Sequence, residues 1–147
     1  TGMIFWVVLL TLVFNRLIFH NPIPGKLFPT MVILIAPPTV AFVGYLNLVG
    51  EVDNFARFLI NVGYVFTALV IVQAPKIVKL PFALPFWALS FPIASLSISS
   101  FLFARKVGSG THEVIGTLAL IALVLIMAAL IYRTIIAIVR GEICVPE

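Results

Sequence analysis

Charge is what this chain has least of. Only 10% of its 147 residues are Asp, Glu, Lys or Arg, against about a quarter in a soluble globular domain, and mean hydropathy is +1.25. Water is therefore excluded as its main solvent. Acidic residues are scarcer still, five in all, and none lies in the middle of an apolar run. That absence argues against a cation path coordinated by carboxylates and against a proton relay buried in the membrane. Cys144 is the sole cysteine, which rules out an internal disulfide and a cysteine-built metal site. The two histidines, His20 and His112, fall in loops at opposite ends of the apolar runs, so they cannot share a metal. No serine or cysteine has a base at usable spacing, and no glycine-rich phosphate loop is present. The nine Lys/Arg form no basic face for nucleic acid. Neither an enzyme nor a cofactor or metal is expected.

What the chain does have is apolar length. Its hydrophobic residues fall into five runs, about 2–19, 28–49, 55–74, 81–103 and 112–139, each close to the roughly 20 residues an α-helix needs to cross a bilayer core. The expected fold is an all-α membrane protein of five transmembrane helices forming a single region over 1–147, with the lipid bilayer as its first partner. Pro22-Ile23-Pro24-Gly25 breaks the chain after the first run, and Gly50 to Asn54 after the second, with Asp53 or Asn54 as helix cap. Pro75 is expected to end the third span, Arg105 to Gly110 to form a flexible polar loop, and Thr111 to cap the fifth span. The first run lacks an initiator Met, a basic leader and a cleavage site, so it does not read as a signal peptide. The chain is expected to be part of a longer protein.

Short loops make neighbouring spans antiparallel. One membrane face then carries Arg16, Lys26, Lys76, Lys79 and Arg140, the other Arg57, Arg105 and Lys106. The positive-inside rule puts the richer face, with the C-terminus, in the cytoplasm. A cell membrane location follows, of the bacterial or archaeal inner-membrane kind.

Proline divides the spans into two kinds. The second contains Pro37 and Pro38 and the fourth Pro92, near mid-depth, whereas the first, third and fifth are uninterrupted. Each proline removes a helical hydrogen bond and displaces the carbonyl four residues earlier, Ile33, Leu34 and Ala88. Such carbonyls are costly in lipid and tolerated beside neighbouring helices, hydroxyls or water. The broken spans are thus expected to face inward and line a pathway. Thr39, Ser90, Ser95 and Ser97 are the hydroxyls available to it, although serine also serves close helix packing. Phe91, beside the kink at Pro92, is a bulky group able to occlude a pore. A path of hydroxyls, backbone dipoles and neutral aromatics would hold an anion weakly, as conduction requires.

Several strings resemble a known family. PTMVILIAPPTVAFVGY from Pro29 to Tyr45, DNFAR from Asp53 to Arg57, Leu80-Pro-Phe82, and FWALSFP from Phe86 to Pro92 are similar to the tellurite-resistance/C4-dicarboxylate transporter family, which includes the plant slow-type anion channels. The resemblance is dense from about Pro24 to Ser95. It implies half of a ten-helix bundle of helical hairpins around a central pore, with this chain as helices six to ten. The kinked spans two and four would be pore helices, Phe91 the occluding residue, and a homotrimer the assembly. The missing N-terminal helices would complete the pore. The permeant would be a small inorganic or dicarboxylate anion, moved by a channel or channel-like exporter; an alternating-access carrier of C4-dicarboxylate, malate or sulfite and a non-transporting membrane scaffold are the other readings.

Overall fold

In lipid, a chain this apolar has to satisfy its backbone internally, and it does so by helices. The computed structural model describes residues 2–19, 31–80 and 82–140. The Pro22 to Gly25 breaker, Lys26, His20, Pro81, Cys144 and the first three residues of the second span lie outside them. Five α-helices follow one another: α1 Gly2–Phe19, α2 Ala36–Val49, α3 Asn54–Val78, α4 Ser90–Val107 and α5 Gly110–Val139. No strand occurs among the described residues. Residues 31–35 form a 3-10 turn leading into α2, and Leu84–Leu89 another leading into α4. Counting those lead-ins, four elements are long and apolar enough to cross a membrane: Met31–Val49, Asn54–Val78, Leu84–Val107 and Gly110–Val139. α1 is apolar and shorter. α5, with 30 residues, is about 45 Å long, so it tilts or projects beyond a core of about 30 Å.

The helices sort by depth. In Leu84–Val107 and Met31–Val49 respectively 44% and 39% of the most apolar window is buried within the chain, against 28% in α3 and 11% in α5. α2 and α4 are therefore the inner pair. Phe42 and Leu46 of α2 meet Ala56, Leu59 and Ile60 of α3 and Phe103 of α4 near one end. Toward the other, Val32, Ile35, Phe66 and Leu96 form a second cluster, onto which Trp6, Leu10 and Phe14 of α1 pack. The Phe14 and Phe66 rings lie 6.1 Å apart.

Local sequence explains most boundaries. Asp53, in extended backbone, caps α3 by accepting the Ala56 amide at 2.8 Å, as its side chain predicts. Gly50 and Gly108 end α2 and α4 in the left-handed conformation, which glycine adopts without steric cost.

Four expectations are corrected. α3 does not stop at Pro75 but runs through it to Val78, because a proline this near the helix end forfeits a single bond, to Ile71. Arg105, Lys106 and Val107 belong to α4, and the polar loop shrinks to Gly108 and Ser109. Ser109, not Thr111, holds the cap position of α5, and its hydroxyl meets His112 Nδ1 at 2.8 Å; His112 is accordingly a helix residue. Finally, the proline breaks are changes of helix type rather than kinks at mid-depth. Pro37 and Pro38 stand in the first turn of α2 and Pro92 in the first turn of α4, the part of an α-helix where proline is tolerated.

Candidate functional site: the inner helices and their open strip

Both inner spans are built alike, a tight 3-10 lead-in and then an α-helix opened by proline. In the second, Ala83 is extended (φ −145°, ψ 157°) and Pro85 is the second residue of the lead-in. Phe86 is buried beneath it, and the Trp87 indole donates to Thr134 Oγ1 of α5 at 3.2 Å. The lead-in is thereby pinned from outside while Ser90 Oγ donates to Trp87 O at 2.8 Å from within. Pro38 and Pro92 are among the most completely buried side chains. The backbone irregularities are thus enclosed by protein, the condition under which lipid tolerates them.

Hydroxyls gather at these breaks, and each has a direction. Thr39 Oγ1 lies 2.8 Å from Ile35 O, 3.0 Å from Ala36 O and 2.8 Å from Ser95 Oγ. Ser95 Oγ lies 2.8 Å from Pro92 O. Each hydroxyl has one proton, so the pair serves two of three acceptor positions at a time: the α2 carbonyls, the Pro92 carbonyl and the partner oxygen. Ser97 donates to Gly116 O of α5 at 2.9 Å, and Ser100 Oγ pairs with Tyr64 of α3 at 3.1 Å. α4 is therefore fastened to α2, α3 and α5 through three of its serines. Of the four hydroxyls singled out in the sequence, Thr39, Ser95 and Ser97 are buried and Ser90 is half-buried.

One strip of α4 is left bare. Phe91 is 62% exposed and Ile98 57%, and Arg105 is exposed as well; seven residues separate each from the next, two helical turns. The other inner span repeats the spacing with Ile33 of its lead-in and Val40 and Asn47 of α2, all exposed. Phe91 so projects from the uncovered side of an inner helix, beside a buried proline.

At the α4–α5 corner a charged, aromatic cluster takes shape. The Arg57 guanidinium carbon sits 5.7 Å from the Phe103 ring centroid, a cation–π distance. The His112 ring lies 4.3 Å from Phe103 and 5.8 Å from Tyr64. Lys106 Nζ donates to Gly50 O at 2.8 Å, covering the end of α2. Arg57 and Lys106 also line a shallow recess of about 530 Å³ with Glu51. Sequence reasoning missed this cluster and the Ile98 to Arg105 continuation of the strip. The seven-residue spacing from Phe91 was the available signal.

The matches to known proteins decide the lineage. The sequence signature of the voltage-dependent anion channel family, SLAC1, covers residues 1–135. The chain belongs to the voltage-dependent anion channel family. Among curated relatives of this family member, S-type anion channel SLAH1 of Arabidopsis thaliana is 27% identical over 127 residues, 82% of this chain and 33% of the relative. SLAH3 of the same plant is 26% identical over 137 residues, 92% of this chain and 21% of the relative. An uncharacterized transporter of Methanocaldococcus jannaschii is 27% identical over 113 residues, 69% of this chain and 33% of the relative. This voltage-dependent anion channel family chain thus spans between 21% and 37% of the length of the curated relatives it matches. No solved structure matches it. The family is one of membrane transport proteins and not of enzymes.

Proposed function

We propose that this chain supplies part of an anion-conducting pore, with α2 and α4 as wall helices and Phe91 as the occluding residue. The observation that carries the reading is the bare strip Phe91, Ile98, Arg105 on a helix whose remaining sides are fastened to neighbours. A helix facing lipid has no use for hydrogen-bonded anchoring on three sides and two proline-opened backbones. A wall helix has, since its polar irregularities must stay covered while one face stays free. The changes from 3-10 to α winding beside Pro37, Pro38 and Pro92 set the course of the wall. Thr39, Ser95 and Ser97 act from behind it, holding the strip in register, and Ser90 is the hydroxyl nearest the plug. Arg105 ends the strip as its one cation, at an end where Arg57 and Lys106 are balanced by Glu51, Asp53 and Glu113, and the chain offers no mid-span carboxylate to cations.

Further segments of the protein complete the pore, and a homotrimer with one pore per subunit is the proposed assembly. The proposed setting is a cell membrane with the C-terminal end cytoplasmic, where Arg16, Lys76, Lys79, Arg133 and Arg140 gather. Permeants are small inorganic anions. The named relatives in the plant are anion channels, which favours a channel over a dicarboxylate carrier.

The test is Phe91→Ala in the full-length protein, reconstituted in planar bilayers under a chloride or nitrate gradient. Anion current rises at least several-fold, with a reversal potential that tracks the anion gradient. Because Phe91 is exposed, the melting temperature of the purified protein stays put, so the gain is not a folding effect. Unchanged current removes Phe91 as the plug, and a saturable flux without single-channel steps points to a carrier.

A further inference from the structure

We infer that the groove between α3 and α5 is a binding site for an anionic phospholipid, its acyl chain along the aliphatic walls and its phosphate at Arg133. α3 and α5 both pack against the inner helices and their backbones stay apart, with the Tyr64 and His112 rings meeting between them at one end. They leave a groove of about 650 Å³ whose floor is Val32, Ile35, Ile93 and Leu96. Its walls are mostly aliphatic, with Phe82, Phe86 and Thr67 among them, and Arg133 is the single charged residue lining it among the described residues. From Ile115 to Arg133, the α5 residues that bound it are 18 apart, about 27 Å of helix. That is close to the thickness of a bilayer core, so the slot runs along the path of lipid chains.

The Arg133 end lies at headgroup level. Thr134, its neighbour, holds the Trp87 indole, and Tyr132 is exposed beside it; Trp and Tyr collect at the membrane interface. The same end carries the described cations Arg16, Lys76, Lys79 and Arg140, whereas the described carboxylates Glu51, Asp53 and Glu113 are all at the opposite end. An aliphatic slot under a rim of cations without a carboxylate among the described residues matches one ligand class, an apolar chain with a phosphate head. A protein helix seated there would need its own counter-charge for Arg133, and a free anion would make no use of the walls. The inference does not depend on where ions pass.

The experiment uses the full-length protein in detergent, offered phosphatidylglycerol and phosphatidylcholine of identical chains, with retained lipid read by native mass spectrometry. Wild type retains phosphatidylglycerol preferentially, and Arg133→Gln lowers that preference about fivefold, as expected of one basic residue at an anionic surface. Arg133→Lys keeps it, which separates charge from folding. A nitroxide at Ala122→Cys, with Cys144 replaced by serine, reports the occupant in a bilayer: oxygen reaches it as freely as a label at exposed Leu125. Equal retention of the two lipids, or a preference untouched by Arg133→Gln, overturns the proposal. So does a shielded label at position 122, which means that another helix fills the groove.

Discussion

α4 and α5 lie side by side in opposite styles. α4 buries Ser95, Ser97, Ser99 and Ser100 and bonds to three neighbours, while α5 is a long apolar helix with most of its surface bare. In water, the apolar helix would be the one driven inward. In lipid it is not, because acyl chains solvate leucine as well as a neighbouring helix does. What joins the two is close approach and directed bonds: Gly116 under the Phe101 ring, Ser97 on the Gly116 carbonyl, Trp87 on Thr134. Association in this bundle is therefore set by small and polar groups, and greasy surface is neutral. That difference can be challenged at individual positions.

The largest effect is expected where backbones come closest. A Cβ on Gly63 would sit 2.6 Å from Thr39 Cγ2, and Thr39 cannot turn away, being β-branched, buried and bonded on its other side. Gly63→Ala should cost about 1–3 kcal/mol, the range of overpacked cores, read as a lower melting temperature in detergent. Gly44→Ala, where nothing lies within 4 Å, should instead stabilise by about 0.5–1 kcal/mol through helix propensity. Equal effects at the two glycines would mean that α2 and α3 do not approach through Gly63.

Next comes the hydroxyl pair. Thr39→Val with Ser95→Ala, run as a double-mutant cycle, should give a coupling near the ~0.6 kcal/mol average for membrane hydrogen bonds and below about 1.7 kcal/mol. Smaller again is the outer face: Leu125→Ala, at a residue 65% exposed, should change stability by less than about 0.5 kcal/mol. A larger loss there would show that α5 has a protein neighbour on that side.

These contrasts mark how much the residues disclosed. Apolar runs gave the helices because twenty consecutive apolar residues have few other fates, and Asp53 gave the α3 cap because its carboxylate has a specific amide to serve. The prolines fall in the two spans most buried within the chain, yet the form of the break was not legible from them. Residues 31–35 and Leu84–Leu89 resemble ordinary helix in composition, and the 3-10 winding follows from packing beneath them. Pro75 misled for the opposite reason, since its cost depends on how near the helix end is, which only the neighbouring turn decides. The direction of each serine was not legible at all. Spacing places Ser95 and Ser97 on different sides of a helix, but which neighbour occupies each side is a tertiary fact.

The smallest effect belongs to the exposed counterpart of the Thr39–Ser95 bond. Tyr45 donates its phenolic proton to Asp53 Oδ2 at 2.5 Å while Asp53 Oδ1 accepts the Ala56 amide at 2.8 Å, clasping α2 to the start of α3. The Tyr45 hydroxyl, and then the Ala56 amide, hold the Asp53 carboxyl below its ordinary value of 3.8. A carboxyl lowered in the folded state stabilises it above the unfolded value, and that contribution fades as pH falls through the folded one. Asn in place of Asp53 keeps a cap without a titration. The melting-temperature advantage of wild type over Asp53→Asn should therefore be constant from about pH 7 to about pH 5 and close on further acidification. Tyr45→Phe should shift that closure toward higher pH, since the largest cause of the lowering is gone. The buried Thr39–Ser95 coupling, made by two groups that do not titrate, should stay level across the same range. A parallel decline in both would mean that acid loosens the whole α2–α3–α4 packing rather than one solvent-facing clasp.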